Sequence, residues 1–145
     1  MTGVTKIRKQ VATIANRLYK KLKNLSTAFK RAWQIVKGRE LITKLAGVTF
    51  GNRQKALAKL QSYDAGMVNV SLVREANNEH DTNAIAVNVS VGSGAAYNLG
   101  YIPKELAVVL APLIDKGLQL VSRFVEVRGG EWDKPIYGGV IAIEL

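Results

Sequence analysis

Two runs of alternating residues bracket the most polar stretch of this 145-residue chain, and that arrangement narrows the folds open to it. In Met67–Val73, Val68, Val70 and Leu72 alternate with Asn69 and Ser71; in Ile85–Val91, Ile85, Val87, Val89 and Val91 alternate with Ala86, Asn88 and Ser90. A period of two in residues this rich in β-branched side chains predicts two half-buried strands. Between them runs Arg74-Glu75-Ala76-Asn77-Asn78-Glu79-His80-Asp81-Thr82-Asn83-Ala84. Asn, Asp and Glu side chains fold back on their own backbone, so such a loop holds a turn without regular pairing. Its polar tips are expected to converge on one place.

The rest of the chain supplies a matching set of short elements. Leu41 to Phe50 reads as a first strand. Asn52 is placed to cap a short helix from Arg53 to about Gln61, with Ala56, Leu57 and Leu60 inward, closed by Tyr63-Asp64-Ala65-Gly66. Gly92-Ser93-Gly94 turns the chain back into Ala95–Tyr101 as a hairpin. Pro103 suits the first turn of a helix whose inner face is Leu106, Val109, Leu110, Leu113 and Ile114, and Pro112 is expected to kink or end it. Leu118–Val127 and Ile136–Leu145 are the last strands, joined by a glycine-flanked tip that carries Trp132. The order β-α-β-β-β-α-β-β predicts an α+β chain: a small β-barrel of about six strands with two helices.

The first forty residues are of another kind. Apolar residues at Val4, Ile7, Val11, Ile14, Leu18, Leu22, Leu25, Phe29, Trp33 and Val36 recur about every 3.6 positions, the helical period. Twelve Lys and Arg against one acid, Glu40, lie between Met1 and Lys44, so this segment carries all of the chain's net charge of +10 and the remainder is nearly neutral. The division is a basic amphipathic helix or helical hairpin over 1–40 and the barrel over 41–145. Three readings of the basic stretch stay open: packing on its own barrel or on a second copy, following a phosphate backbone, or lying on an anionic membrane surface.

Several function classes drop out. There is no cysteine and His80 is the only histidine, so neither thiolate chemistry nor a zinc site is expected, and no cofactor. No Gly-rich loop with Lys-Ser/Thr points to ATP hydrolysis, and no nucleophile–base order stands out; the chain reads as non-enzymatic. Without a secretory pattern or a long apolar run it reads as intracellular, with an organelle presequence left open.

The order of residues around the polar loop says more. Arg74, Glu75, Asn78, His80, Asp81, Asn83, Ala84, Ile85 and Val87, followed by Gly100-Tyr101-Ile102-Pro103, resemble the pattern of HIRAN domains, and Gly47-Val48-Thr49-Phe50 extends the likeness upstream. That resemblance implies a modified OB-like barrel that grips the 3′ end of single-stranded DNA, in a family that often accompanies helicases or nucleases of repair and replication. By position in the motif, Asp81 would accept the free 3′-hydroxyl and Asn78 would read the terminal base edge. His80 and Phe50 would offer stacking faces, and Tyr101 and Lys104 would lie near phosphates. Arg74 would either touch ligand or pair with Glu75. Thr49 stands where some members carry a basic residue, and His80 is a smaller face than a tyrosine, though protonation would add charge.

Two functions follow from these residues. One is a DNA-binding module for single-stranded ends, with the basic segment adding attraction. The other is an interaction or targeting protein whose basic helix binds a membrane surface or a protein partner while the barrel serves as scaffold.

Overall fold

The computed structural model describes Ile35 and residues 38–144, so nearly all of the basic stretch expected over 1–40 lies outside the described residues. The elements are β1 (Leu41–Lys44), α1 (Arg53–Leu60), a 3-10 turn (Ala65–Met67), β2 (Val68–Arg74), β3 (Ile85–Val91), β4 (Tyr97–Tyr101), α2 (Lys104–Asp115), β5 (Val121–Arg128) and β6 (Gly138–Glu144). Their order is the one the patterning predicts.

The strands form two antiparallel three-stranded sheets, β1-β6-β5 and β2-β3-β4. Two seams close them into a small OB-like barrel. On one side Ala46, just past β1, pairs with Tyr101 at the end of β4, each N–H donating to the other's carbonyl at 2.8 and 2.9 Å. On the other side β5 runs beside β2, and Ser122 Oγ donates to the Val70 carbonyl at 3.2 Å. The first seam explains the glycine of Gly-Tyr-Ile-Pro. A Cβ at Gly100 would stand 2.7 Å from the Ala46 carbonyl oxygen, so only glycine lets the two strands come this close.

Helix burial follows the apolar periodicity. α2 turns Leu106, Val109, Leu110 and Leu113 into the core, and α1 contributes Leu57 and Leu60. They meet Leu99 of β4, Phe124 of β5 and Ile141 and Ile143 of β6, with Ile35 joining the same cluster. Each such side chain contributes roughly 1.5–3 kcal/mol when withdrawn from water. In β3 Ala86 is buried as well as Ile85, Val87 and Val89. It is a small residue on a central strand, flanked by Val73 and Tyr101 of its neighbours.

Three local expectations are corrected. The first strand stops at Lys44 rather than reaching Phe50, because after the Ala46 pairing the chain turns at Gly47, whose φ is +69°. Pro103 stands just before α2 as its cap residue, with an extended ψ of 140°, instead of in its first turn. Pro112 neither ends nor shortens α2, which continues to Asp115. Near a C-terminus proline removes one backbone bond, and the burial of Leu113 beyond it outweighs that loss. Asn52 does hold the position before α1, yet its side chain makes no capping bond.

Candidate nucleic-acid interface

The polar loop is knitted from within. Glu75 N–H donates to the Ala84 carbonyl at 2.9 Å and extends the β2–β3 ladder by one step. Asn78 Oδ1 then accepts the backbone N–H groups of His80 and Asp81 at 2.9 and 3.0 Å, and Asp81 Oδ1 accepts that of Asn83 at 2.9 Å. These are Asx-type bonds, in which a short side chain takes the place of a backbone carbonyl. Asn83 meets the loop through its backbone, as its place before a buried strand suggests. The second Asp81 oxygen, Oδ2, has no hydrogen-bond partner among the described residues.

Glu75 fastens this loop to the barrel. Its Oε1 accepts both Asn78 Nδ2 at 3.1 Å and the Tyr101 hydroxyl at 2.7 Å. The donated hydroxyl raises the Tyr101 pKa above the ordinary phenol value; burial and the Glu75 charge add to the rise, and nearby Arg53 opposes it. Arg53, the first residue of α1, sits over the Tyr101 ring at 5.4 Å from its centre and donates Nη1 to the Gly47 carbonyl at 2.6 Å. Gln54 completes the frame, donating Nε2 to the Val48 and Tyr137 carbonyls and accepting the Tyr137 N–H.

These contacts border an open cavity of about 590 Å³ between the polar loop, the 46–53 turn and the start of α2. Phe50, Asn78, His80, Asp81, Tyr101 and Lys104 line it together with Arg53, and Ala46, Gly47, Ala84 and Ile102 form its apolar floor. Phe50 is 68% exposed, an unusual state for a phenylalanine. The cavity thus gathers aromatic groups, two cations and a carboxylate with an unused oxygen.

Two residues picked out in the sequence stand apart from it. Arg74 reaches back to α2, where it pairs with Asp115 through Nε at 3.1 Å and Nη2 at 3.3 Å and donates Nη1 to the Ala84 carbonyl. It pairs with Asp115, not with Glu75. Thr49 is exposed beside Phe50 and is no part of the cavity wall. Asn78 is placed at the cavity, but its carbonyl oxygen and one amide hydrogen are used by the loop, leaving one N–H. Arg53 is the residue that sequence reasoning missed. The available signal was a guanidinium three positions after an exposed aromatic, in a turn marked by Gly47 and Gly51.

Donors, a carboxylate and aromatic groups line one cleft, a set of groups suited to holding a nucleic acid. Residues 41–136 match the family model of the HIRAN domain, and the chain belongs to that family. Over 86 residues it is 38% identical to the Helicase-like transcription factor of Oryctolagus cuniculus. The match takes in 57% of this chain but only 8% of that protein's length. Similar solved structures are a protein from Lactobacillus plantarum, 25% identical with a TM-score of 0.46, covering 72% of this chain and 92% of the other, and the HIRAN domain of human HLTF, 25% identical with a TM-score of 0.43, covering 72% and 73%. Among the described residues no helix is long and apolar enough to cross a membrane.

Proposed function

We propose that this module holds the 3′ end of a single DNA strand in the cavity between the polar loop, the 46–53 turn and α2. The observation that carries the reading is the gathering of Phe50, His80, Asp81, Arg53 and Lys104 around one space of about 590 Å³. A terminal base stacks on Phe50 or on the His80 ring, an interaction that in single-strand grooves is worth roughly 1–3 kcal/mol per base. Asp81 Oδ2 accepts the terminal 3′-hydroxyl, and its charge strengthens that bond while repelling a phosphate in the same place. The last N–H of Asn78 faces the base edge, and Lys104 and Arg53 take the phosphates. Arg53 thereby supplies a cation on the side where Thr49 supplies none.

The module works beside an enzyme that handles strands, a helicase or a nuclease, in repair, replication or end processing. The name of its rabbit relative supports that division of labour.

Asp81→Ala is the direct test of the mechanism. A hydrogen bond to a charged group is worth about 1.5–3 kcal/mol, so fluorescence anisotropy with a short strand ending in a free 3′-hydroxyl should show affinity falling about tenfold or more. An unchanged dissociation constant would remove Asp81 as the hydroxyl acceptor.

A further inference from the structure

Phe50 has a second side. Beyond it lies another cavity, of about 330 Å³, walled by Phe50, Asn52, Arg53, Tyr97 and Asn98. Phe50 and Arg53 line both spaces, so the two cavities are neighbours with a shared wall. Building on the end-binding reading, we propose that this second cavity holds the penultimate nucleotide, its base between Phe50 and Tyr97 and the phosphate that links it to the terminal nucleotide against Arg53.

Three observations converge on this occupant, and Asn98 holds the wall behind it. Phe50 projects 68% exposed between the two cavities, the position of a ring that separates two bases. Tyr97, at the start of β4, is exposed to 37%, although an aromatic residue at a strand end can bury more of its ring when no ligand needs it. Asn52 occupies the cap position of α1 without capping it, and its amide has no hydrogen-bond partner among the described residues. The amide's donor and acceptor are therefore both open to a base edge. Asn98 anchors the floor, donating Nδ2 to Asn88 Oδ1 and to the Gly100 carbonyl at 3.2 Å each. Its Oδ1 is enclosed and receives no donor among the described residues.

The charge pattern selects a nucleotide over an apolar guest. Arg53 donates Nη1 to the Gly47 carbonyl and stands over the Tyr101 ring, and its guanidinium lines both cavities. A linking phosphate is a two-oxygen acceptor that suits such a fork. The strand then crosses the protein from the Asp81 end, over Arg53, to Tyr97.

The test compares one nucleotide with two on the full chain. Titrate deoxyadenosine 5′-monophosphate and the dinucleotide pdApdA, both with free 3′-hydroxyls, and follow backbone amide shifts by NMR. The mononucleotide should move Asn78–Asp81 and Tyr101, and the dinucleotide should move these and also Asn52, Tyr97 and Asn98. Tyr97→Ala should weaken the dinucleotide about tenfold and leave the mononucleotide unchanged, while Tyr97→Phe restores the dinucleotide. Identical shifts for the two ligands, or an equal response of both to Tyr97→Ala, would overturn the second subsite and leave end binding standing. If neither ligand moves the Asn78–Asp81 loop, the end-binding reading falls and the subsite falls with it.

Discussion

Two aromatic side chains stand exposed in glycine-flanked turns of this protein, and they are differently equipped. Phe50 lies on a turn held from four directions: Arg53 N–H on its own carbonyl, its N–H on Gly47, the Arg53 guanidinium on Gly47 and the Gln54 amide on Val48. It lines one cavity with His80, Asp81 and Lys104. Trp132 sits 99% exposed on the β5–β6 tip, where the Glu131 and Lys134 backbones exchange two hydrogen bonds. The larger ring has the greater exposure and shares none of the cavities described above. A stacking platform needs a second face and a place for the phosphates, both fixed before the ligand arrives. Exposure alone does not provide them.

The sharpest way to break this comparison is to truncate each ring in turn. Phe50→Ala should weaken binding of a short single strand by about 1–3 kcal/mol, read by anisotropy. Trp132→Ala should leave the dissociation constant within about twofold, since little is buried there to lose. Equal losses at both sites would mean that the tip forms part of the binding surface.

A smaller effect is expected from loosening the knitted region without touching its aromatic faces. Tyr101→Phe removes the hydroxyl that Glu75 accepts and should cost about 1 kcal/mol of folding stability by chemical denaturation. The same bond has a pH signature. Because the folded state raises the Tyr101 pKa above 10.0, the folded protein keeps its proton where the unfolded chain has lost it. The contribution is complete below pH 10 and disappears as pH rises through the raised value. Tyr101→Phe should therefore flatten the alkaline fall in stability relative to the parent chain.

The smallest effect belongs to Arg74. Its partner Asp115 is half-exposed, so Arg74→Ala should cost less than about 1 kcal/mol from the ion pair and leave strand binding unchanged. A clear loss of binding would bring Arg74 back to the ligand.

The elements near one another in sequence were the legible ones. Alternation fixed β2, β3 and their shared loop, and the loop's acidic and amide residues gathered where the pattern placed them, because Asx bonds span only two or three positions. What escaped depended on distant contacts. Arg53 enters the cavity because α1 packs beside β4, and Arg74 is withdrawn from it by an acid 41 residues away. Composition could show that Asn78 is a polar loop residue but not that the loop itself would use most of its amide. Pro112 misled for a related reason: local propensity argues for a break, and the core that holds Leu113 in place is assembled from several strands.

The most direct test of end recognition compares two strands that differ only at their last atom group. Anisotropy of the full chain should be measured on one short single strand ending in a 3′-hydroxyl and on its 3′-phosphate twin. Tighter binding of the hydroxyl end is expected, with salt weakening both ends alike. Equal affinity for the two ends, or tighter binding of the phosphate end, would contradict end recognition.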